Sequence, residues 1–123
     1  MSTIIRVTGE HPSTITVGHG LGFETIREAL DEAATKVLII HARPLASRAE
    51  ALAQYLREQG IDASTVDHPD AEAGKSIEVV ASLWDECGRL QIGRKDAIVA
   101  MGGGATTDMA GFVAATWLRG ITL

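Results

Sequence analysis

Aromatic residues are scarce in this chain: two Trp, two Phe and one Tyr make up 4% of 123 residues. A core without rings has to be built from Ile, Val, Leu and Ala, and that composition suits a parallel sheet covered by helices. Cysteine is scarcer still. The single Cys87 excludes an internal disulfide and any cysteine-based zinc cluster, and its apolar neighbours at helical spacing place it in the core. No apolar run approaches the ~20 residues that a membrane span needs, and "MSTIIRVTGE" lacks the basic-then-apolar layout of a secretion signal. Positive charge is also short, with 11 Lys and Arg against 16 Asp and Glu. A net charge of −5 and the absence of a basic stripe argue against nucleic acid as a partner. These absences make the cytoplasm the simplest compartment for a soluble globular protein.

What is present is ordered alternation. "TIIRVTG" (3–9) and "STITVGHG" (13–20) are short β-branched runs around a Glu-His-Pro turn, the pattern of a hairpin. Residues 22–34 carry Phe23, Ile26, Leu30 and Ala33 at helical period. "KVLIIHA" (36–42) is a continuous apolar run, as expected of a strand buried on both faces. Pro44 opens a helix with Leu45, Ala49, Leu52, Ala53 and Leu56 in register, and Gly60 stands where a left-handed C-cap belongs. A weaker strand over 62–69 ends at Pro69. A helix over 75–90 follows, with Ile77, Val80, Ala81, Trp84 and Cys87 on its inner stripe. A strand at 96–102, a helix to about 118 and the start of a further apolar run, "GITL", complete the chain. Helix and strand alternating at this spacing predict right-handed crossovers and a mostly parallel, Rossmann-like α/β sheet with helices on both faces. The chain is expected to be one domain over 1–123, broken off inside a strand and so a fragment of a longer protein.

Two loops carry the chemistry. Gly102, Gly103 and Gly104 link a buried strand to a helix that is expected to begin near Ala105. Glycines can let strand and helix pack closely, or let backbone amides approach a ligand in a turn that uses positive φ. A helix N-terminus at the carboxyl edge of a parallel sheet suits an anion or a pyrophosphate. The usual fingerprints fail: Thr107 stands where G-x-G-x-x-G needs its last glycine, and Pro69 where a P-loop ending in "AGKS" needs its first. Asp108, expected in the first helical turn, reads either as a helix-start acid or as a ribose-hydroxyl acceptor. The preceding strand ends in "HPDAEAGKS" (68–76), where Asp70, Glu72 and Lys75 crowd charge into six positions, more than a capping loop requires. His11, His19 and His68 are scattered on loops without a second metal ligand at useful spacing.

Together, "PDAEAGKS" and "GGGATTDMAGFVAATWLRG" resemble the N-terminal domain of the 3-dehydroquinate synthase family, and the resemblance covers essentially the whole chain. It implies an NAD- and metal-dependent homodimer of the shikimate pathway. Such an enzyme converts 3-deoxy-D-arabino-heptulosonate 7-phosphate to 3-dehydroquinate and phosphate by transient oxidation, phosphate elimination, reduction and aldol closure. By position, Asp70, Ala71, Glu72, Ala73, Gly74 and Lys75 would line the NAD site. Gly103, Gly104, Ala105, Thr106, Thr107 and Asp108 would hold the dinucleotide, with backbone at the pyrophosphate and Asp108 at a ribose. Arg119 matches an arginine that reaches across the dimer to the substrate phosphate; the plainer reading is an arginine snorkelling at a helix end. The family's zinc or cobalt ligands lie in its C-terminal helical domain, so no catalytic or metal residue is expected within 1–123. Ala71 replaces a glycine of the pattern, and "HARP" (41–44) replaces the small polar or acidic residue that usually meets the adenosine. The alternatives are a sugar-phosphate cyclase of the valiolone-synthase type or, for the fragment alone, a non-catalytic nucleotide-binding domain. Iron-dependent alcohol and glycerol dehydrogenases share only the glycine motif.

Overall fold

The computed structural model describes residues 2–69 and 75–123, so Asp70, Ala71, Glu72, Ala73 and Gly74 lie outside the described residues. The central feature is β3 (Lys36–Ala42), the apolar run, in which Val37, Leu38, Ile39 and Ile40 are each at most 1% exposed. It pairs in parallel with β4 (Asp62–His68) on one side and β5 (Ala97–Met101) on the other, giving the order β4-β3-β5. The predicted last strand amounts to one parallel bridge from Thr122 to Ala97 on the far side of β5, where Ile98 N donates to Thr122 O at 2.9 Å.

Because strand side chains alternate, β3 feeds two cores. Leu38 and Ile40 pack with α3 (Ile77–Arg89) and α4 (Gly104–Thr116) on one face. Val37 and Ile39 pack with α2 (Ala46–Glu58) on the other, where Phe23 and Ile26 of α1 (Phe23–Ala29) join them. The chain leaves β3 for β4 and returns across it to β5, so the sheet reverses direction at β3. Helices on both faces of a parallel sheet are as expected.

Several boundaries move for local reasons. Helix α1 stops at Ala29 because Asp31 Oδ1 captures the Ala33 amide at 2.8 Å in a competing turn, which leaves Ala33 exposed. Pro44 opens a single 3-10 turn (Arg43–Leu45) ahead of α2, and Gly60 takes the expected left-handed φ of +85°. The buried stripe of α3 is Val80, Leu83 and Cys87, whereas Ala81 is exposed and Ile77 is 66% exposed. Helix α4 ends at Thr116 rather than near 118, because Leu118 and Arg119 turn to φ of +49° and +67°.

The hairpin forms from β1 (Ser2–Val7) and β2 (Ser13–Gly18), antiparallel, with Ile5 opposite Ile15. Its odd-numbered face holds Ile5, Val7, Ile15 and Val17, all 44–56% exposed. The hairpin is therefore a separate two-stranded sheet rather than an extension of the core.

Candidate dinucleotide site

The carboxyl ends of all three parallel strands open on one edge of the sheet, and Gly102, Gly103 and Gly104, with Lys75 near them, lie there. Gly103 is the N-cap of α4, which begins at Gly104, one residue earlier than expected. Glycine has no side chain to cap with, and α4 receives no side-chain cap bond, unlike α3, where Ser76 Oγ accepts from Val79 N at 3.3 Å. The first backbone bond inside α4 runs from Thr107 N to Gly103 O at 3.0 Å. The amides of Gly104, Ala105 and Thr106 precede it and have no intrahelical acceptor. They point out of the positive end of the helix dipole.

The three glycines do different work. A Cβ on Gly102 would lie 2.9 Å from both Cβ and Oγ1 of Thr106 and 3.2 Å from the Cβ of Ala42, so this position needs its close approach. A Cβ on Gly103 or Gly104 would meet nothing within 4 Å. The expected positive φ is absent from all three, and Gly103 sits at φ −82°. The room beside Gly103 and Gly104 and the uncapped amides together fit the anionic diphosphate of a dinucleotide.

Asp108 is the fifth residue of α4, and no acid stands in the first turn, so the expected helix-start role is corrected. Its carboxylate faces Lys75 instead: Nζ lies 3.6 Å from Oδ2. The fold thus brings the end of one loop to the helix that follows the other. Between α3 and α4, Lys75, Ser76, Ile77, Val80, Asp108, Met109 and Phe112 line a groove of about 350 Å³. Its lip is charged and its floor apolar.

Thr106 is 4% exposed, with its hydroxyl at His68, whereas Thr107 turns Oγ1 back to the carbonyls of Gly103 and Gly104 at 3.2 Å. Arg119 is exposed and sits at the other end of α4, a helix of 13 residues or ~20 Å, so it does not join the glycine corner within one chain. His41 and Arg43 border a second groove with Thr65 and Asp67 at the ends of β3 and β4. There His41 Nδ1 bonds Ala42 O at 2.9 Å, and Arg43 pairs with Asp67 at 3.0 Å. Among the described residues no three His, Cys, Asp or Glu side chains converge as a metal set.

Two features escaped the sequence reading. His68 is not a loop residue: it ends β4 and is 1% exposed, with Nδ1 3.2 Å from Thr106 Oγ1. Asp96 is 6% exposed at the opposite edge of the sheet, where it accepts from the amides of Thr35, Lys36 and Gly93 at 2.7–2.9 Å. Burial pushes its carboxyl up, but those hydrogen bonds together outweigh burial and hold it below the ordinary value. A lone acid directly before the apolar run "AIVAM" was the available signal.

Residues 65–123 match the family model described as 3-dehydroquinate synthase N-terminal. The 3-dehydroquinate synthase of Pseudarthrobacter chlorophenolicus is 48% identical over 123 residues, covering 98% of this chain and 34% of that protein. The 3-dehydroquinate synthase of Mycolicibacterium gilvum is 47% identical over 119 residues, covering 97% and 33%. Among solved structures, a 2-deoxy-scyllo-inosose synthase complexed with carbaglucose-6-phosphate, NAD+ and Co2+ superposes with a TM-score of 0.82. At 21% identity, over 97% of this chain and 33% of that one, it supports the fold. The chain spans about a third of the length of the curated relatives it matches. On its motifs and these matches, the chain resembles the N-terminal part of the 3-dehydroquinate synthase family.

Proposed function

We propose that this chain supplies the NAD-binding wall of an enzyme that converts 3-deoxy-D-arabino-heptulosonate 7-phosphate to 3-dehydroquinate and phosphate. The observation that carries the reading is the N-terminus of α4: uncapped amides, an N-cap glycine and open space at Gly103 and Gly104, at the edge where the sheet reverses direction. Such a corner binds a diphosphate through main chain alone. The family relatives named above support the substrate, and the NAD+ and Co2+ of the structural neighbour support the cofactors.

In this reading the amides of Gly104, Ala105 and Thr106 hold the diphosphate. Asp108 accepts a ribose hydroxyl, and Lys75, paired with it, aims the carboxylate. Asp70, Ala71, Glu72, Ala73 and Gly74 complete the wall from the loop outside the described residues. NAD, when bound, would supply reversible removal of hydride from a ring carbon. The protein's part is to hold the acceptor ring against that carbon and to exclude water. Arg119, placed by the turn after α4, would reach the substrate phosphate of a second subunit in a homodimer, as a planar fork that stays charged. The zinc or cobalt belongs to residues beyond this chain, and no step here runs through it. A cytoplasmic enzyme is in keeping with a lone buried cysteine and with the absence, among the described residues, of a helix able to cross a membrane.

Phosphate release from the heptulosonate phosphate by the full-length protein, with NAD and Zn2+ or Co2+ present, tests the reading. Release that requires both supports it, and none with both present overturns it. Turnover of a heptulose 7-phosphate to a valiolone in its place would move the enzyme to the related cyclases.

A further inference from the structure

The strand ends converge under the first turn of α4, and Thr106 stands where they meet. From β4, the buried His68 sets Nδ1 3.2 Å from Thr106 Oγ1. From β5, Gly102 approaches so closely that a Cβ on it would lie 2.9 Å from that same oxygen, and Ala42 at the end of β3 borders the same gap at 3.2 Å. Shape alone does not account for a hydroxyl here. Valine has the same outline, and a buried hydroxyl is tolerated only when it is hydrogen-bonded.

Packing lets a helix end slide by tenths of an ångström over the strands beneath it, whereas a hydrogen bond between two buried side chains fixes distance and direction. This bond ties the end of β4 to the first turn of α4. His68 lies two residues before the loop that leads to Lys75, and Thr106 belongs to the turn whose amides face outward. Thr107 is its control: exposed, and bonded only within its own helix.

We propose that His68 and Thr106 are a positioning pair, whose hydrogen bond fixes the amide-bearing turn of α4 over the end of β4 and thereby sets the affinity for the dinucleotide. The pair contacts no reacting atom, and the proposal rests on the NAD reading above.

The test uses the full-length protein carrying Thr106→Val, His68→Leu or both, beside Thr106→Ser and His68→Asn, which keep a polar atom at the bond. NAD affinity is measured by calorimetry, and hydrogen exchange over residues 102–107 is measured without NAD. Thr106→Val is expected to weaken NAD by about five- to tenfold, the worth of one hydrogen bond, and His68→Leu by at least as much. The double variant should lose no more than His68→Leu alone. The two polar variants should stay within about twofold of the parent, and exchange over 104–106 should quicken only in the apolar ones. Unchanged affinity in Thr106→Val, or losses that multiply in the double variant, would overturn the proposal. If the parent itself takes up no NAD, the NAD reading fails, and the exchange data still decide whether the pair holds the turn: no change in Thr106→Val refutes it.

Discussion

Lys75 Nζ stands 3.6 Å from Asp108 Oδ2, joining the approach to α3 with the second turn of α4. Asp108 is 71% exposed at its side chain, and water screens a pair this open, so the contact adds little to stability. Asp108→Asn is therefore expected to leave the melting temperature within about 2 °C of the parent. It should weaken NAD by about tenfold, because the amide is a poorer ribose-hydroxyl acceptor than a carboxylate. Thermal melting and calorimetry on the same preparation separate the two effects. An equal loss of both would make the pair a structural clamp.

The glycines should part company on substitution. Gly102→Ala forces a methyl group against Thr106 and Ala42 and should cost about 1–3 kcal/mol in urea unfolding. Gly104→Ala places its methyl in open space within a helix and should stabilise by about 0.5–1 kcal/mol. The same methyl would stand in the space proposed for the diphosphate, so NAD binding should fall by tenfold or more even as stability rises. A Gly104→Ala protein that binds NAD as the parent does would move the anion site elsewhere.

Asp96 ties the start of β3 to the turn before β5, and its carboxyl is lowered in the folded state. Above the ordinary carboxylate value of 3.8 both folded and unfolded chains carry the charge, and the full stabilisation is present. As pH falls below 3.8 the unfolded chain takes up the proton first, and the contribution is lost. Asp96→Asn should remove about 1.5–3 kcal/mol at neutral pH and flatten the acid limb of a stability–pH curve. An unchanged acid limb would assign acid unfolding to other carboxylates.

Cys87 is wholly buried, and burial, with Glu86 beside it, raises its thiol from 9.0 to about 11. It should resist alkylation at pH 8 until the protein is unfolded. Between about pH 9 and 11 the unfolded chain loses this proton while the folded one keeps it, so stability falls across that window. Cys87→Ala should lessen that alkaline loss, read from urea midpoints at pH 8 and 10.

Much of the architecture was legible because it is local. The run at 37–40 is apolar at every pleat, and only a strand covered on both faces can use it. Gly60 meets a left-handed cap because a helix ends there, and Ala49, Leu52, Ala53 and Leu56 share one face by helical geometry alone. The glycine corner was visible for the same reason: three residues without side chains interrupt a strand–helix junction.

The partnerships were decided by tertiary structure. His68 and Thr106 are 38 positions apart, and Asp96 lies 60 from the Lys36 amide it caps; no periodicity links such residues until the sheet order brings them together. Asp108 left the first turn because α4 starts at Gly104. Residue order thus determined which segments become strands and helices, since hydrogen-bond period and side-chain pattern are properties of neighbours along the chain. Which polar groups meet at the strand ends was settled only when β3 took the centre, because buried hydrogen bonds form between surfaces that the chain's topology alone makes adjacent.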